Sequence, residues 1–493
     1  MALGESWPRH PIIYEVNAWT WLEEVGARAG KPVGLGAVPE EEWDALAAWR
    51  PDAVWLMGVW ERSPEGRRIA LANAELVRSF REALPDLRPD EDVAGSPYCI
   101  RRYVVDARLG GPQGLAKARA QLARRGIRLV LDLVPNHVAP DHPWAREAPE
   151  FFVRGTVEEA KRSPEAFLQV GGAVFARGRD PYFPPWPDVL QLNAFSPGYR
   201  RALADTLTSI AAQCDAVRTD MAMLLVNRVF TRTWGERAGP RPARELWEEV
   251  LSEVKPRHPG FLVLAEAYWE MEWELQQLGF DFCYDKRLYD RIEHGQGEAV
   301  RQHLCAGLDY QERLVRFVEN HDEPRAAAAL GPRARAGAVA VATLPGARLF
   351  HEGQFEGRKV RLPVFLGRRP QEPDDTGLRA FYRKLLAEAA GPVYRDGTFA
   401  LCERTGWEGS LRSEEIVAWC WRLGDERRLV AVNLGAERAQ ARVRVPWADV
   451  AGRTWRLDDT LDGTRYERAG DDLAGPGLYV ELEAGRYHLF AMR

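Results

Sequence analysis

The stretch DAVRTDMAML, residues 215–224, decides how the rest of the chain is read. Its apolar run ends in Arg218 and Asp220. In a strand, residues i and i+2 point the same way, so the guanidinium and the carboxyl share a face. A guanidinium lowers the pKa of a neighbouring carboxyl and keeps it ionised. A charged carboxylate at a strand end is either a nucleophile or half of a structural ion pair, and these residues alone leave both open.

Outward from this stretch, apolar runs recur along the chain at 12–16, 53–59, 128–134, 215–221, 261–265, 280–284, 314–319 and 347–350. Helical periodicity falls between most of them, at 40–49, 70–84, 114–125, 200–213, 243–254, 288–294 and 335–343. Continuous apolar strands alternating with helices mark a parallel sheet buried on both faces. Eight such units predict an α/β fold, a closed (β/α)8 barrel. The rival, an open doubly wound sheet, calls for a Gly-rich first turn that the sequence lacks.

Two segments interrupt the pattern. Residues 63–97 are too long for an ordinary connection, and 139–192 are rich in Pro, Trp and Phe with little periodicity. After a helical pattern at 377–389, short strand patterns set off by Gly, Asp and Pro predict a C-terminal antiparallel β-sandwich. The expected division is a barrel from 1–138 and 193–392, a small insert after the third strand at 139–192, and a sandwich at 393–493.

Composition excludes several classes. At 493 residues the chain exceeds one hydrophobic core, and 46% hydrophobic with 28% charged residues is ordinary for a globular protein. A net charge of −5 with dispersed Lys and Arg argues against nucleic acid or an anionic membrane as partner. No apolar run is long enough to span a bilayer, and the N-terminus shows no basic region followed by an apolar core. The six cysteines have no CxxC spacing, so they are expected reduced, without a metal role. A cytoplasmic location is the resulting expectation.

Barrel chemistry sits at the carboxyl ends of the strands. The third run ends in Asp132-Leu-Val-Pro-Asn136-His137, the fourth in Arg218-Thr-Asp220, the fifth in Glu266, and the seventh in Glu319-Asn320-His321-Asp322-Glu323. Any one of these has a bland reading as a cap or a satisfied structural residue. Four in this order on successive strands point to a single site.

With these motifs the chain resembles the alpha-amylase family of glycoside hydrolases over its whole length. The family's four motif regions match 132–137, 216–220, 265–266 and 318–322. The resemblance implies that Asp220 is the nucleophile, Glu266 the general acid/base and Asp322 a transition-state-stabilising carboxylate. It also implies that Arg218, His137 and His321 hold the sugar at the cleaved bond and that Tyr98 is the aromatic platform beneath it. Arg325 follows the third carboxylate and is either its partner or a substrate contact.

The residue types suit that chemistry independently. Retaining hydrolysis takes one ionised carboxylate to attack and one protonated carboxyl to release the leaving oxygen. Arg218 keeps Asp220 charged, and the apolar neighbours of Glu266 raise its pKa. No redox cofactor is required.

The sequence also departs from the family pattern. Met223 and Leu224 stand where many members have Lys-His, and Leu190-Gln191-Leu192-Asn193 replaces a Pro-Asp-Leu-Asp type segment. Many members hold a calcium ion with the Asn matching Asn136 and carboxylates of the insert. Gln191 is a neutral replacement, so no metal is expected. The resulting reading is a retaining glycosidase acting on alpha-glucosidic bonds of an oligosaccharide or alpha-glucan. The alternatives are a transglycosylase or isomerase on the same intermediate, such as a glucanotransferase or a trehalose- or sucrose-acting enzyme, and a non-catalytic amylase-like subunit.

Overall fold

The computed structural model describes residues 7–493. The first six residues, part of the stretch read above as lacking a basic leader, lie outside the described residues. Eight strands, Ile12–Asn17, Ala53–Met57, Arg128–Leu133, Ala216–Thr219, Leu262–Ala265, Phe282–Tyr284, Leu314–Arg316 and Ala347–His351, pair in chain order and close on themselves. Every pairing is parallel, including the closing one between the first and eighth strands.

The alternation of side chains builds the barrel. Ile13, Trp55, Val130, Ala216, Leu264, Val315 and Leu349 point inward and pack together. Their neighbours Ile12, Val54, Leu129, Val217 and Val263 face the surrounding helices, among them Gly111–Arg124, Pro197–Ala211 and Leu246–Val254. Burial on both faces is why the strands read as unbroken apolar runs. Each fully buried Leu, Ile or Val contributes about 1.5–3 kcal/mol.

The excursion at 63–97 differs from the single helical pattern expected at 70–84. Besides the short Pro89–Asp92 it forms two helices, Pro64–Ala72 and Ala74–Ala83, because Asn73 between them is extended and its side chain accepts from the N–H groups of Glu75 and Leu76 at 3.0 and 3.2 Å. An Asn at an N-cap starts a new helix better than it continues an old one. The helix Ala18–Ala29 follows the first strand, at a place where no helical pattern was expected. Asn17 caps its start, Gly30 in a left-handed conformation ends it, and Trp21, Leu22 and Val25 form its buried face.

The 139–192 segment is more ordered than its composition suggested. It holds the helix Val157–Arg162, started by a Thr156/Glu159 capping box, and the hairpin Phe167–Val170 with Ala173–Ala176. Two residues, His137 and Val138, pair with Gln191 and Leu190 and tie the segment to the barrel rim.

The C-terminal part is antiparallel, a six-stranded sheet facing a three-stranded one. Ile416, Ala418, Leu429 and Ala431 from the first meet Ala441, Val443, Leu478 and Val480 from the second. The far face of the larger sheet, with Trp419, Trp421, Val430 and Leu489, joins the barrel core, and Trp421 Nε1 donates to the Thr343 carbonyl at 2.7 Å. Thr398–Leu401, Glu403–Thr405 and Arg465–Ala469 are strands the sequence patterns did not reveal. Among the described residues no helix is long and apolar enough to cross a membrane.

One charged group is sealed inside the barrel wall. Arg316, fully buried at the end of the seventh strand, pairs with Asp285, whose carboxylate also lies 2.9 Å from His303 Nε2. Removing one partner of such a pair strands the other charge in a medium that cannot solvate it. Arg316→Met is therefore expected to destabilise the barrel by about 3–5 kcal/mol, read as a lowered denaturant midpoint; an unchanged midpoint would contradict the assignment.

Candidate active site

The carboxyl ends of the strands converge on Arg218. Its side chain is fully buried, Nη1 donates to Asp220 Oδ1 at 2.6 Å, and Nη2 lies 2.8 Å from Glu266 Oε2 and 3.9 Å from Asp322 Oδ2. The rings of Tyr98, Trp55 and Tyr284 stand 5.3, 5.5 and 5.7 Å from its guanidinium carbon. Burial alone would discharge an arginine; the carboxylates led by Glu266 outweigh it and hold Arg218 charged.

The acids differ in their settings. Glu266, at the end of the fifth strand, is pushed up to about 7 by burial, with Arg218 opposing and Asp220 and Asp322 adding to the rise. Its Oε2 accepts the Met221 N–H at 2.7 Å and its Oε1 accepts the Tyr268 hydroxyl at 2.9 Å. Met221 reaches it by adopting a left-handed conformation, φ 44°, directly after Asp220. A non-glycine residue held there stores about 1–3 kcal/mol of strain, and here the turn aims an N–H at Glu266.

Burial also raises the Asp220 carboxyl, against Arg218. Asp322 is half-buried. Burial pushes it upward, but His321 and Arg218 hold it well below the usual carboxylate range. His321 Nε2 is 2.9 Å from Asp322 Oδ2 and 2.7 Å from the Tyr98 hydroxyl, while Nδ1 meets Glu15. Burial disfavours its charge, yet the two carboxylates on either side keep His321 protonated. The Asn320 side chain accepts from the Asp322 and Glu323 N–H groups and fixes the turn.

Asp220, Glu266, Asp322, Tyr98 and His137 line one cleft of about 320 Å³, with Arg218 and His321 beneath its floor. His137 packs on Trp186 at 5.1 Å between ring centres, and burial lowers it to about 4, so it is neutral near pH 7. Arg325 is not brought to the cleft. It is buried in the wall, where Nη1 donates to Glu319 Oε1 at 2.7 Å and to the Glu352 carbonyl at 2.7 Å, so the substrate contact allowed for it gives way to an internal ion pair. A larger depression of about 1020 Å³ beside Arg62, Arg67 and Arg108 contains none of the cleft's carboxylates and is a separate feature.

Sequence reading missed several residues of the site. Glu15 and Trp55 support it from below, together with Asp132, already marked as the start of the third-strand motif. Trp55 Nε1 and the Gly58 N–H donate to Asp132, whose carboxyl burial raises to about 6. Glu15 was findable, since it is a carboxylate interrupting the apolar run at 12–16. Tyr268 had only its position two residues beyond Glu266 to mark it. Phe365 and Asp188 reach the cleft from segments without periodicity; Asp188 is buried there with Oδ2 unpartnered.

No family model matches the chain. An alpha-amylase, MalA, of Haloarcula japonica is 25% identical over 371 residues, 72% of this chain and 45% of that protein. The chain thus spans less than half the length of this curated relative. An alpha-1,4-glucan:maltose-1-phosphate maltosyltransferase of Cereibacter sphaeroides is 27% identical over 190 residues, 37% of this chain and 26% of that one. Among solved structures, the maltogenic alpha-amylase AmyB of Thermotoga neapolitana superimposes with a TM-score of 0.71 at 18% identity, covering 98% of each chain. The acarbose complex of an alpha-amylase from Geobacillus thermoleovorans gives 0.68 at 16% identity, covering 99% of each. At such identities the structural likeness speaks for the fold.

Calcium, expected from many amylase-like chains, does not fit the residues present. Gln191 Nε2 donates to Asn136 Oδ1 at 2.9 Å, to the Asn136 carbonyl at 2.9 Å and to the Leu192 carbonyl at 3.0 Å. An amide nitrogen thus engages the oxygens that a cation would need. Asp180 spends one oxygen on the N–H groups of Tyr182 and Phe183. Asp188 lines the cleft. Calcium takes about six to eight oxygens, several of them charged. EDTA is accordingly expected to leave the melting temperature unchanged; a fall reversed by added calcium would overturn this.

Proposed function

We propose that the chain belongs to the alpha-amylase family of glycoside hydrolases and that it is a retaining enzyme hydrolysing alpha-glucosidic bonds of maltooligosaccharides or alpha-glucan. The observation that carries this reading is the single guanidinium of Arg218 reaching both Asp220, at 2.6 Å, and Glu266, at 2.8 Å. Carboxyls bridged in this way fit the close pair of a retaining mechanism, about 5–5.5 Å apart, better than the wider pair, about 6.5–9.5 Å, that leaves room for an attacking water.

The roles follow from the charges. Asp220 attacks the anomeric carbon as the bond to the leaving oxygen breaks, and Glu266 gives that oxygen its proton. Oε2 faces the Met221 N–H, which can only donate, so the proton sits on Oε1, where the Tyr268 hydroxyl can turn to accept it. Water then gives its proton to Glu266 and its oxygen to the anomeric carbon, releasing Asp220. Asp322, kept ionised by the protonated His321, faces the positive charge that develops on the sugar. Neutral His137, which lines the cleft, is suited to sugar hydroxyls. We assign the enzyme to the cytoplasm, with no nucleic-acid or membrane partner, from its charge balance and reduced cysteines.

One observation favours a second reading, transfer to an acceptor sugar. Tyr182 and Trp269, both exposed, meet at 4.9 Å beside Tyr268, the partner of Glu266, and offer stacking faces on the leaving-group side. The likeness to a maltosyltransferase points the same way. Products formed with and without added acceptor sugars separate the two.

Asp220→Asn and Glu266→Gln should each lower kcat by several orders of magnitude on an unactivated alpha-glucoside with little change in melting temperature; more than a few per cent residual activity would contradict the roles. The first product seen by NMR should retain the substrate's anomeric configuration. The pH profile of kcat/KM should be bell-shaped. A Glu266 raised to about 7 keeps its proton below that pH and loses it above, so the basic limb falls near 7. Asp220 must be ionised to attack, and its raised pKa sets the acid limb above the range of an exposed aspartate. A basic limb that does not move in Glu266→Asp would count against the assignment.

A further inference from the structure

We propose that the 63–97 excursion and the segment after the eighth strand wall off the glycone end of the cleft into a pocket for one sugar, so that the enzyme removes single glucosyl units from non-reducing ends. This rests on Asp220 and Glu266 acting as nucleophile and acid.

The polarity of the cleft comes from barrel order. Strands pair in chain order around the ring, so the fifth strand, which carries Glu266, lies opposite the first, and the second and eighth flank the first. A general acid stands on the leaving-group side. The leaving group therefore extends over the fifth strand, and the far edge of the bound sugar, which bears its 4-hydroxyl, points toward the loops of strands eight, one and two.

There the two loops are joined. The Ala94 and Gly95 N–H groups both donate to the Phe365 carbonyl, at 2.8 and 3.2 Å, and the Gly367 N–H donates to the Asp92 carbonyl at 2.7 Å. Val93 and Leu366 form an antiparallel bridge. Arg368 holds both oxygens of the buried Asp92 at 2.8 Å, and Arg62 reaches across from the Gly95 carbonyl to that of Val364. Gly95 at φ 96° makes the turn that brings Tyr98 back to the site.

Behind this seam the excursion supplies a core of its own. Phe80, Leu84, Leu87 and Val93 bury Leu366, and the Phe80 ring lies 5.4 Å from that of Phe365. Phe365 also lines the catalytic cleft together with Ser96, Tyr98 and Asp322. A ring fixed from behind by a packed core, through a loop whose backbone is hydrogen-bonded on both sides, is a wall and not a movable lid. The cleft volume of about 320 Å³ sits at the low end of small-molecule sites, about 300–1,000 Å³. The opposite side, with exposed Tyr182, Phe183 and Trp269, is open. A chain that continued past the 4-hydroxyl would meet Phe365.

The test uses p-nitrophenyl maltooligosides with the non-reducing end free or capped by a 4,6-ethylidene group, and unmodified maltoheptaose. The capped substrate should turn over roughly 100-fold or more slowly than the free one, the scale of a steric exclusion. Maltoheptaose should yield glucose and maltohexaose first. Phe365→Ala, checked for an unchanged melting temperature, should narrow the capped-to-free ratio by about tenfold. Equal rates on capped and free substrates, or mid-length first products from maltoheptaose, would overturn the pocket while leaving the hydrolase reading in place. Failure to cleave any alpha-glucoside, free or capped, would remove that reading and the pocket with it.

Discussion

A single buried cation organises this molecule. Arg218 has no route to bulk water and stays charged because carboxylates surround it and three aromatic rings lie close to it. Truncating Arg218 would leave its buried carboxylates uncompensated, at a cost of about 3–5 kcal/mol, whereas neutralising one acid leaves the cation the others. The barrel meets this demand by ending neighbouring strands in the groups that Arg218 needs: Asp220 from its own strand and Glu266 from the next. A fold with its strands in another order would bring different strand ends together around the cation.

The same arrangement separates the behaviour of three like-charged groups. Burial raises Glu266 to about 7, with Asp220 and Asp322 adding to the rise and Arg218 and the Met221 N–H opposing it. Asp322 is bonded to a histidine that a second carboxylate, Glu15, keeps protonated, and it stays ionised. Environments that drive neighbouring acids apart in pKa are what acid/base chemistry at neutral pH requires. The strain held at Met221 belongs to this design, because a relaxed backbone there would aim its N–H elsewhere.

The barrel was legible in the sequence because strands buried on both faces write unbroken apolar runs, and the carboxylates stood out as the polar residues that ended them. Asp220, Glu266 and Asp322, which the fold brings to one cleft, stood out in this way. Glu15 broke that rule, lying inside the run 12–16 before Val16, and was overlooked for that reason. What could not be read were contacts between segments far apart in the chain. Arg325 beside Asp322 in sequence gave no sign that Glu319 and the Glu352 carbonyl would claim its guanidinium. Phe365 and Asp188 lie in stretches without periodicity, and only the folded chain brings them to the cleft. Asn73 shows the limit on a local scale, since a cap inside a helical pattern divided one expected helix into two.

The central claim is that Asp220, held on Arg218, forms a covalent bond to the sugar. Incubation with a 5-fluoro-α-glucosyl fluoride, whose glycosyl-enzyme intermediate breaks down slowly, followed by mass spectrometry of the intact protein and its peptides, tests it most directly. The account predicts one added glycosyl unit, on the peptide that contains Asp220, and none in Asp220→Asn. Turnover of the reagent with no adduct, or an adduct on any other residue, would contradict it.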